Sequence, residues 1–249
     1  LGRKRSRSAR SGRRAGPVLA GGRWSLVSSL VDNAVSATER TLARANMLLE
    51  RYGIVSREAA LAENIPGGFG PLYKVLSALE ESGRVRRGYF IEGLSGAQFA
   101  RPGIVDQLRG ERREESVDID TTDIVHLAAV DPANPWGSLM PWPETGSTES
   151  RARPRRVAGA MLLPNAGIPL LYLSASSRQL ITFPANLTEP GVRAAAFAAL
   201  HQLPRQTRRG SLVIEKIDGE AIRDSRYCEL MLSCGFSSDY RGLVSEAFA

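Results

Sequence analysis

The sequence predicts an α+β protein in two parts, and two features of the 249-residue chain carry that prediction. Residues 51–101 alternate helix-start and helix-stop signals and then form a basic hairpin. Beyond residue 116, helical spacing of apolar residues gives way to short apolar runs separated by turn residues, a pattern typical of strands. We therefore expect a winged helix-turn-helix domain followed by a small β-barrel-like α/β module.

The first helix is predicted by its ends. Ser36 followed by Glu39 forms a capping box, in which each side chain can bind a free amide of the first turn. Gly53 ends the helix. The apolar residues between them recur at helical spacing: Leu42, Ala45, Leu49 and Tyr52.

Two further helices complete the helix-turn-helix pattern. Ser56 caps a short second helix, and Glu58 lies in its positive first turn. Pro71 is suited to the first position of the third helix, which Gly83 ends. One apolar stripe follows Pro71: Leu72, Val75, Leu76 and Leu79.

The hairpin that follows is the predicted wing. Val85, Tyr89 and Ile91 are spaced to lie on one face of a strand, and residues 97–100 return as the second strand. Gly93 and Gly96 bracket the turn between them. A short helix after Pro102 closes this domain, which we place at residues 23–109.

The second part is predicted at residues 121–249, after a polar linker at 110–120. Its helices are expected at 188–203, ended by Pro204, and at 225–234, ended by Gly235. Its strands are expected at 124–130, 157–163, 170–174, 179–183 and 212–217. The turns between them include Asn165-Ala166-Gly167 and Asp218-Gly219.

Charge is concentrated at the start of the chain. Residues 1–22 hold seven Lys and Arg and no acidic residue, which accounts for the whole net charge of +7. We interpret this stretch as a basic disordered linker, with a dedicated nucleic-acid arm as the alternative. The chain has no apolar run long enough to span a membrane and no secretory pattern, and we expect a cytoplasmic protein. Cys228 and Cys234 are expected as reduced thiols, without a metal cluster.

The basic hairpin makes nucleic acid the first partner to consider. Arginines can bind phosphates, and Tyr89 or Phe90 can stack on an unpaired base. The alternatives are a solvated hairpin edge or a protein-binding module. Because Glu80 and Glu81 would repel phosphates in a major groove, we expect non-specific binding, mainly to single-stranded DNA. The candidate residues are Lys74, Arg84, Arg86, Arg87 and Tyr89, with Arg3, Lys4 and Arg5 of the linker.

Other candidate sites have simpler interpretations. His126 and Asp131 could together place a water in a glycosylase, but a capping role for Asp131 before Pro132 fits better. The glycines at 67, 68 and 70 could admit a backbone phosphate, although a tight turn explains them more simply. The tryptophans are expected as core or interface anchors: Trp24, Trp136 and Trp142.

Several motifs occur in order over residues 20–249: Gly22-Arg23-Trp24, residues 48–53, 65–69, 86–90 and 98–100, Asp131 to Gly137, and Arg241-Gly242-Leu243. Together they resemble the far C-terminal region of the large helicase-related (Lhr) proteins of bacteria. The resemblance implies a superfamily 2 helicase that couples ATP hydrolysis to 3′-to-5′ translocation on single-stranded DNA, a role in repair and, in the long members, a self-associating C-terminal region. That region is also similar to the AlkZ/YcaQ DNA glycosylases.

The chain itself lacks the helicase motor. It has no phosphate-binding Gly-x-x-x-x-Gly-Lys-Ser/Thr loop, so ATP and magnesium belong to the parent helicase and no cofactor is expected here. The Gln-x-Gln or Gln-x-Asp motif of the AlkZ enzymes is also absent at Gln98-Phe99-Ala100, and no catalytic residue is carried over.

We therefore expect an accessory region of an Lhr-type repair helicase that binds DNA, organises homo-oligomers, or both. The alternative is a DNA glycosylase that acts on a flipped base. A deep polar pocket that holds a carboxylate with a perturbed pKa would favour the alternative.

Overall fold

The computed structural model of the protein describes residues 25–31, 34–111, 123–147, 153–206 and 210–246. The predicted basic linker at 1–22, with Arg3, Lys4 and Arg5, lies outside the described residues, as do Trp24 and most of the linker at 110–120.

The stretch before the first long helix is apolar and exposed. Val27–Leu30 form one 3-10 turn, in which Leu26 and Leu30 are each 78% exposed. The predicted capping box is confirmed, because the Ser36 amide donates to Glu39 and the Glu39 amide donates to the Ser36 hydroxyl. The hydrogen bonds to Ser36 lower the pKa of Glu39.

The next elements form the predicted winged helix. A three-stranded antiparallel sheet, in the order β1-β3-β2, pairs the two wing strands β2 and β3 with β1, the short strand between α1 and α2. The elements are α1 (Ala37–Tyr52), β1 (Ile54–Val55), α2 (Arg57–Ala62), α3 (Phe69–Glu81), β2 (Arg86–Gly88), β3 (Gln98–Ala100) and α4 (Pro102–Gly110).

Local signals place these helices well, with one error. Ser56 caps α2 as predicted, since its hydroxyl accepts from the Ala59 amide. Helix α3 begins at Phe69 after Gly68, so Pro71 is its third residue and not its first. Proline is tolerated there because the amides of the first turn have no partner within a helix.

The core of the winged helix joins α1 and α3 to the sheet. Leu48, Leu72 and Leu76 are fully buried and pack with Phe99 of β3. Phe99 lies edge-on to Tyr73, with ring centroids 5.6 Å apart. Burial of this apolar stripe, more than helix propensity, holds the three helices together.

The second half is a mixed α+β unit with two open sheets. One sheet runs β10-β9-β7-β6-β5-β4, with β7 and β9 parallel, and the other runs β11-β12-β8. Within the described residues neither sheet closes into a barrel. The strands are β4 (Leu127–Ala128), β5 (Met161–Asn165), β6 (Ile168–Leu173), β7 (Gln179–Thr182), β8 (Ser211–Ile214), β9 (Lys216–Ile217), β10 (Glu220–Ala221), β11 (Ser237–Asp239) and β12 (Gly242–Glu246).

Helices α5 (Pro190–Gln206) and α6 (Cys228–Ser233) cover these sheets. Phe197 and Leu200 of α5 are fully buried against Ile214 and Leu243 of the three-stranded sheet.

Cys228 and Cys234 are half-buried free thiols, and burial raises the pKa of Cys234.

Several boundaries of this half differ from the sequence prediction, and the strand predicted at 157–163 begins only at Met161 as β5. The strand predicted at 124–130 shrinks to β4, because its partner β5 contains Pro164, which has no amide to donate. The run at 212–217 is two strands, since the chain passes from one sheet to the other at Glu215. Pro204 lies inside the last turn of α5 and does not end it. The predicted helix at 225–234 is shorter, as α6.

His201 on α5 gives this half a testable pH dependence. Its Nδ1 atom is buried without a hydrogen-bond partner among the described residues, and its ring lies 5.2 Å from that of Phe236. Burial and then Arg205 lower its pKa below the ordinary value near 6.5. Protonation therefore costs the folded state more than the unfolded chain, so stability present above pH 6.5 is lost as the pH falls below it.

We expect the urea midpoint of the wild-type chain to fall more between pH 7.5 and pH 5.5 than that of His201→Gln. Equal losses in the two proteins would show that His201 does not contribute. His126→Gln is the matched control for removal of an imidazole, because the Nε2 atom of His126 lies 2.9 Å from the Ala199 carbonyl, whereas Nδ1 of His201 is buried without a described partner.

Candidate nucleic-acid interface

Gln98 fixes the shape of the wing. Its side chain is fully buried, and its Oε1 atom accepts from the amides of Phe90 and Ile91 at 2.9 and 2.8 Å. Its Nε2 atom donates to the Ile91 carbonyl at 2.9 Å. One side chain thus satisfies three backbone groups that would otherwise belong to a strand ladder.

This arrangement corrects the predicted face of the wing. The chain leaves the ladder after Gly88, because Gln98 takes the next two amides, so Tyr89 does not share a strand face with Val85. Val85 is buried, whereas Tyr89 is 83% exposed. The tip is also attached to α2, where a Glu58 carboxylate oxygen accepts from the amide and hydroxyl of Ser95.

Arg87 is already engaged within the domain. Its Nε atom lies 3.1 Å from the Glu80 carboxylate, and its Nη1 atom donates to the Tyr73 hydroxyl at 3.0 Å. The Tyr73 hydrogen bond and the charge of Glu80 raise the pKa of Arg87. Arg87 therefore offsets the negative charge that Glu80 would otherwise present to a phosphate.

The other candidates of the wing and α3 are exposed. Lys74, Arg86 and Tyr89 have no hydrogen bond or ion pair with the residues that the structure describes. Because Arg87 points to α3, Arg86 next to it in β2 lies on the opposite face of the hairpin. The wing thus presents the Arg86 cation and the Tyr89 ring to a ligand. The hydrogen-bond donors of both side chains are unoccupied among the described residues.

Arg84 lies apart from that face. It lines an open groove of about 530 Å³ with Asn46, Glu50 and Arg101, between α1 and the start of α4. The structure therefore divides the predicted arginines among the wing surface, the contact with α3 and this groove.

The glycines before α3 belong to a turn. Gly67 and Gly68 have φ angles of 79° and 64°, which side chains other than glycine rarely adopt. Gly68 is the N-cap residue of α3, and this requirement explains the two glycines without a ligand.

The structure separates His126 from Asp131. The Nε2 atom of His126 lies 2.9 Å from the Ala199 carbonyl, whereas the Asp131 carboxylate accepts from the Ala133 amide at 2.8 Å. The capping role predicted for Asp131 is confirmed. The anchor roles of Trp136 and Trp142 are confirmed as well, since both pack against the buried Tyr172 and Phe183 cluster.

Asp218 is a buried carboxylate that sequence reasoning interpreted only as a turn residue. It accepts from the amide and hydroxyl of Thr182 at 2.8 and 2.7 Å, and burial raises its pKa. A side chain at Gly146 would overlap the Asp218 carboxylate, so the space beside it is filled. Asp218 therefore ties the β9–β10 turn to β7.

A second carboxylate, Glu63, does line a cleft. Its Oε1 atom accepts from Arg51 and from the Tyr52 hydroxyl, each at 2.5 Å. These bonds lower the pKa of Glu63, so the group is ionised at neutral pH. The cleft has a volume of about 790 Å³, and its opposite wall is formed by residues of the 130–139 loop and Arg156.

Two other kinds of site are missing from the described part of the chain. No three histidines, cysteines or carboxylates come together as metal ligands there. No described helix is both long and apolar enough to cross a membrane.

Comparison with known proteins agrees with this architecture. Residues 34–119 match the family model for the winged-helix domain of large helicase-related proteins. The chain is 38% identical over 229 residues to the Lhr helicase/uracil glycosylase of Escherichia coli, and 38% identical over 230 residues to the Lhr helicase/probable uracil glycosylase of Mycolicibacterium smegmatis. These matches cover 91% and 89% of this chain but only 14% and 15% of the relatives, so the chain spans about a seventh of their length. They confirm the resemblance found in the sequence: the chain belongs to the large helicase-related family and corresponds to its C-terminal region.

Proposed function

We propose that this chain is a DNA-binding accessory region of an Lhr-type helicase, and that its wing contacts single-stranded DNA without sequence preference. The observation that carries the proposal is the exposed pair Arg86 and Tyr89, which has no partner among the described residues. Lys74 on α3 adds a further exposed cation.

Physical chemistry favours a backbone-and-stacking mode. Arg86 and Lys74 can neutralise phosphates and release counterions, while the Tyr89 ring can stack on any unpaired base. Glu81 on α3 still opposes a helix deep in a major groove, so base-specific readout is not part of the proposal. Contributions to DNA repair and to self-association of the parent protein are proposed on the family resemblance alone.

Fluorescence anisotropy with a labelled single-stranded oligonucleotide tests the wing. We expect the double variant Arg86→Ala/Tyr89→Ala to bind roughly tenfold more weakly, from one lost phosphate contact and one lost stacking contact. The matched variant Arg109→Ala/Tyr240→Ala removes an exposed arginine and an exposed tyrosine away from the wing. If both double variants lose the same affinity, the wing is not the contact surface.

Base excision is the second candidate, because the two relatives carry uracil glycosylase in their names and Glu63 places an ionised carboxylate in a cleft. In such hydrolysis the bond between base and sugar breaks, water adds its oxygen to C1′, and the base leaves with the second proton. An ionised carboxylate can orient that water or stabilise the positive sugar.

A uracil-containing oligonucleotide, followed by alkaline cleavage at abasic sites, tests this candidate. If base excision is the function of this chain, the purified chain should produce cleavage and Glu63→Gln should abolish it, because the amide cannot carry the charge. Cleavage that survives at the wild-type rate in Glu63→Gln would remove Glu63 from the chemistry.

A further inference from the structure

The loop that carries Tyr89 lies outside the strand ladder of the wing. Strands β2 and β3 pair over three residues each, from Arg86 to Gly88 and from Gln98 to Ala100. The structure describes all nine residues between them, 89–97, without strand pairing. Fixing each residue of such a loop costs conformational entropy, so its order depends on side chains that hold its backbone.

Two side chains outside this loop hold it. Gln98 holds the first arm, through the amides of Phe90 and Ile91. Glu58 of α2 holds the second arm, where one carboxylate oxygen accepts from the Ser95 amide at 3.1 Å and from the Ser95 hydroxyl at 2.7 Å. The conformation of the loop therefore depends on a residue that lies 37 positions before Ser95 in the chain.

Packing beside Tyr89 decides which of two neighbouring aromatic rings faces solvent. The Phe90 ring folds back over Gly88, where a Cβ atom would lie 2.9 Å from the ring. Phe90 is therefore half-buried, whereas Tyr89 is 83% exposed. Gly88 is paired with Gln98, which also holds the Phe90 amide, so the backbone is fixed on both sides of Tyr89. A ring on a fixed backbone needs little ordering when it stacks on a base.

Glu58 holds Ser95 as a carboxylate. Burial opposes its charged form, but its hydrogen bonds, chiefly those from Ser95, lower the pKa of Glu58 below the ordinary value. Bonds to a charged acceptor are stronger than bonds to a neutral one. The same charge, taken alone, would repel the phosphates of a bound strand. Its electrostatic effect and its effect on the loop therefore have opposite signs for DNA binding.

We propose that Glu58 is a positioning residue of the DNA-binding wing: by holding Ser95, it keeps residues 89–97 in the conformation that presents Tyr89 to an unpaired base. This inference rests on the proposed binding of single-stranded DNA by the wing. It makes part of the affinity depend on a contact that does not touch the DNA.

Two substitutions at position 58, measured by fluorescence anisotropy with a labelled single-stranded oligonucleotide, test the proposal. Glu58→Ala removes both the charge and the acceptor, and we expect roughly tenfold weaker binding, the cost of ordering about one more loop residue. Glu58→Gln removes the same charge but keeps an oxygen that can accept from Ser95, so it should bind at least as tightly as wild type. Charge repulsion alone predicts instead that both variants bind more tightly, and by the same factor.

The Tyr89→Ala background shows whether Glu58 acts through the ring. In that background Glu58→Ala should change the affinity by less than about twofold, whereas general loosening of the domain would cost roughly tenfold in both backgrounds. Hydrogen exchange at the Ser95 amide should be faster in Glu58→Ala than in the wild-type chain, because the amide has lost its acceptor.

The outcomes separate this proposal from the wing itself. Wild-type affinity or tighter binding in Glu58→Ala, with the Ser95 amide exchanging faster, would overturn the role of Glu58. Equal losses in Glu58→Ala and Glu58→Gln would overturn it as well, and neither result would affect the wing if Tyr89→Ala still weakened binding. Unchanged affinity in Tyr89→Ala would overturn the stacking contact of the wing, and the positioning role with it.

Discussion

Gly242→Ala is expected to lower the free energy of unfolding of the second half by about 3 kcal/mol, at the upper end of overpacking effects. Gly242 is buried at the start of β12, and a Cβ there would overlap the carbonyl oxygen of Ile214 in β8. Because the obstructing atoms are backbone atoms of a paired strand, no side chain can rotate to make room. The β8–β12 pairing from Leu243 to Glu246 must shift instead.

Gly191→Ala is the matched control. Gly191 is the second residue of α5, and a Cβ there meets no atom within 4 Å. Alanine should leave stability unchanged or raise it by up to about 1 kcal/mol, since glycine is the poorer helix former. Chemical denaturation of both variants measures the difference, and a wild-type midpoint for Gly242→Ala would refute the close approach.

Gln98→Leu is expected to destabilise the winged helix by roughly 3 kcal/mol. Leucine fills a similar volume but leaves the amides of Phe90 and Ile91 and the Ile91 carbonyl without a partner. Each unsatisfied group costs about 1–3 kcal/mol when buried, and less where water reaches it. Hydrogen exchange should show the amides of residues 90 and 91 losing protection.

Gln107→Leu makes the same chemical change on the exposed face of α4. It should change stability by no more than about 0.5 kcal/mol. If Gln98→Leu were equally mild, the wing would hold its shape without the buried amide.

The sequence predicted the winged helix well because its signals are local. The signals that begin and end the helices act within one helical turn: Ser36, Ser56, Gly53 and Gly83. The apolar residues from Leu72 to Leu79 recur at helical spacing, which in a strand would place them on both faces. The family resemblance rested on motifs that the structure explains in part. Gly242 in the Arg241-Gly242-Leu243 motif lies against the β8 backbone, where a Cβ atom would not fit. Asn134 in the 131–137 motif is buried, and its side chain donates to the Ala129 carbonyl.

The features of the fold and of the site that the sequence did not predict depend on contacts between residues far apart in the chain. No residue near Glu215 signals that the chain passes from one sheet to the other there. The change follows from pairing partners elsewhere in the chain, because β8 pairs with β12 and β9 pairs with β7 and β10. The exposure of Tyr89 depends on Gln98, and the engagement of Arg87 depends on Glu80 and Tyr73. The cleft at Glu63 joins side chains more than sixty positions apart, so spacing along the chain could not reveal it.

The salt dependence of single-strand binding tests the central claim most directly. If Arg86 contacts a phosphate, Arg86→Ala should lower the slope of log K against log salt by about 0.7, the share of one contact on a single strand. The triple variant Arg84→Ala/Arg86→Ala/Arg87→Ala should flatten the slope at least as much. Arg109→Ala, which removes an exposed arginine of α4, should leave it unchanged. A slope that stays at the wild-type value in both the single and the triple wing variants would contradict DNA binding by the wing.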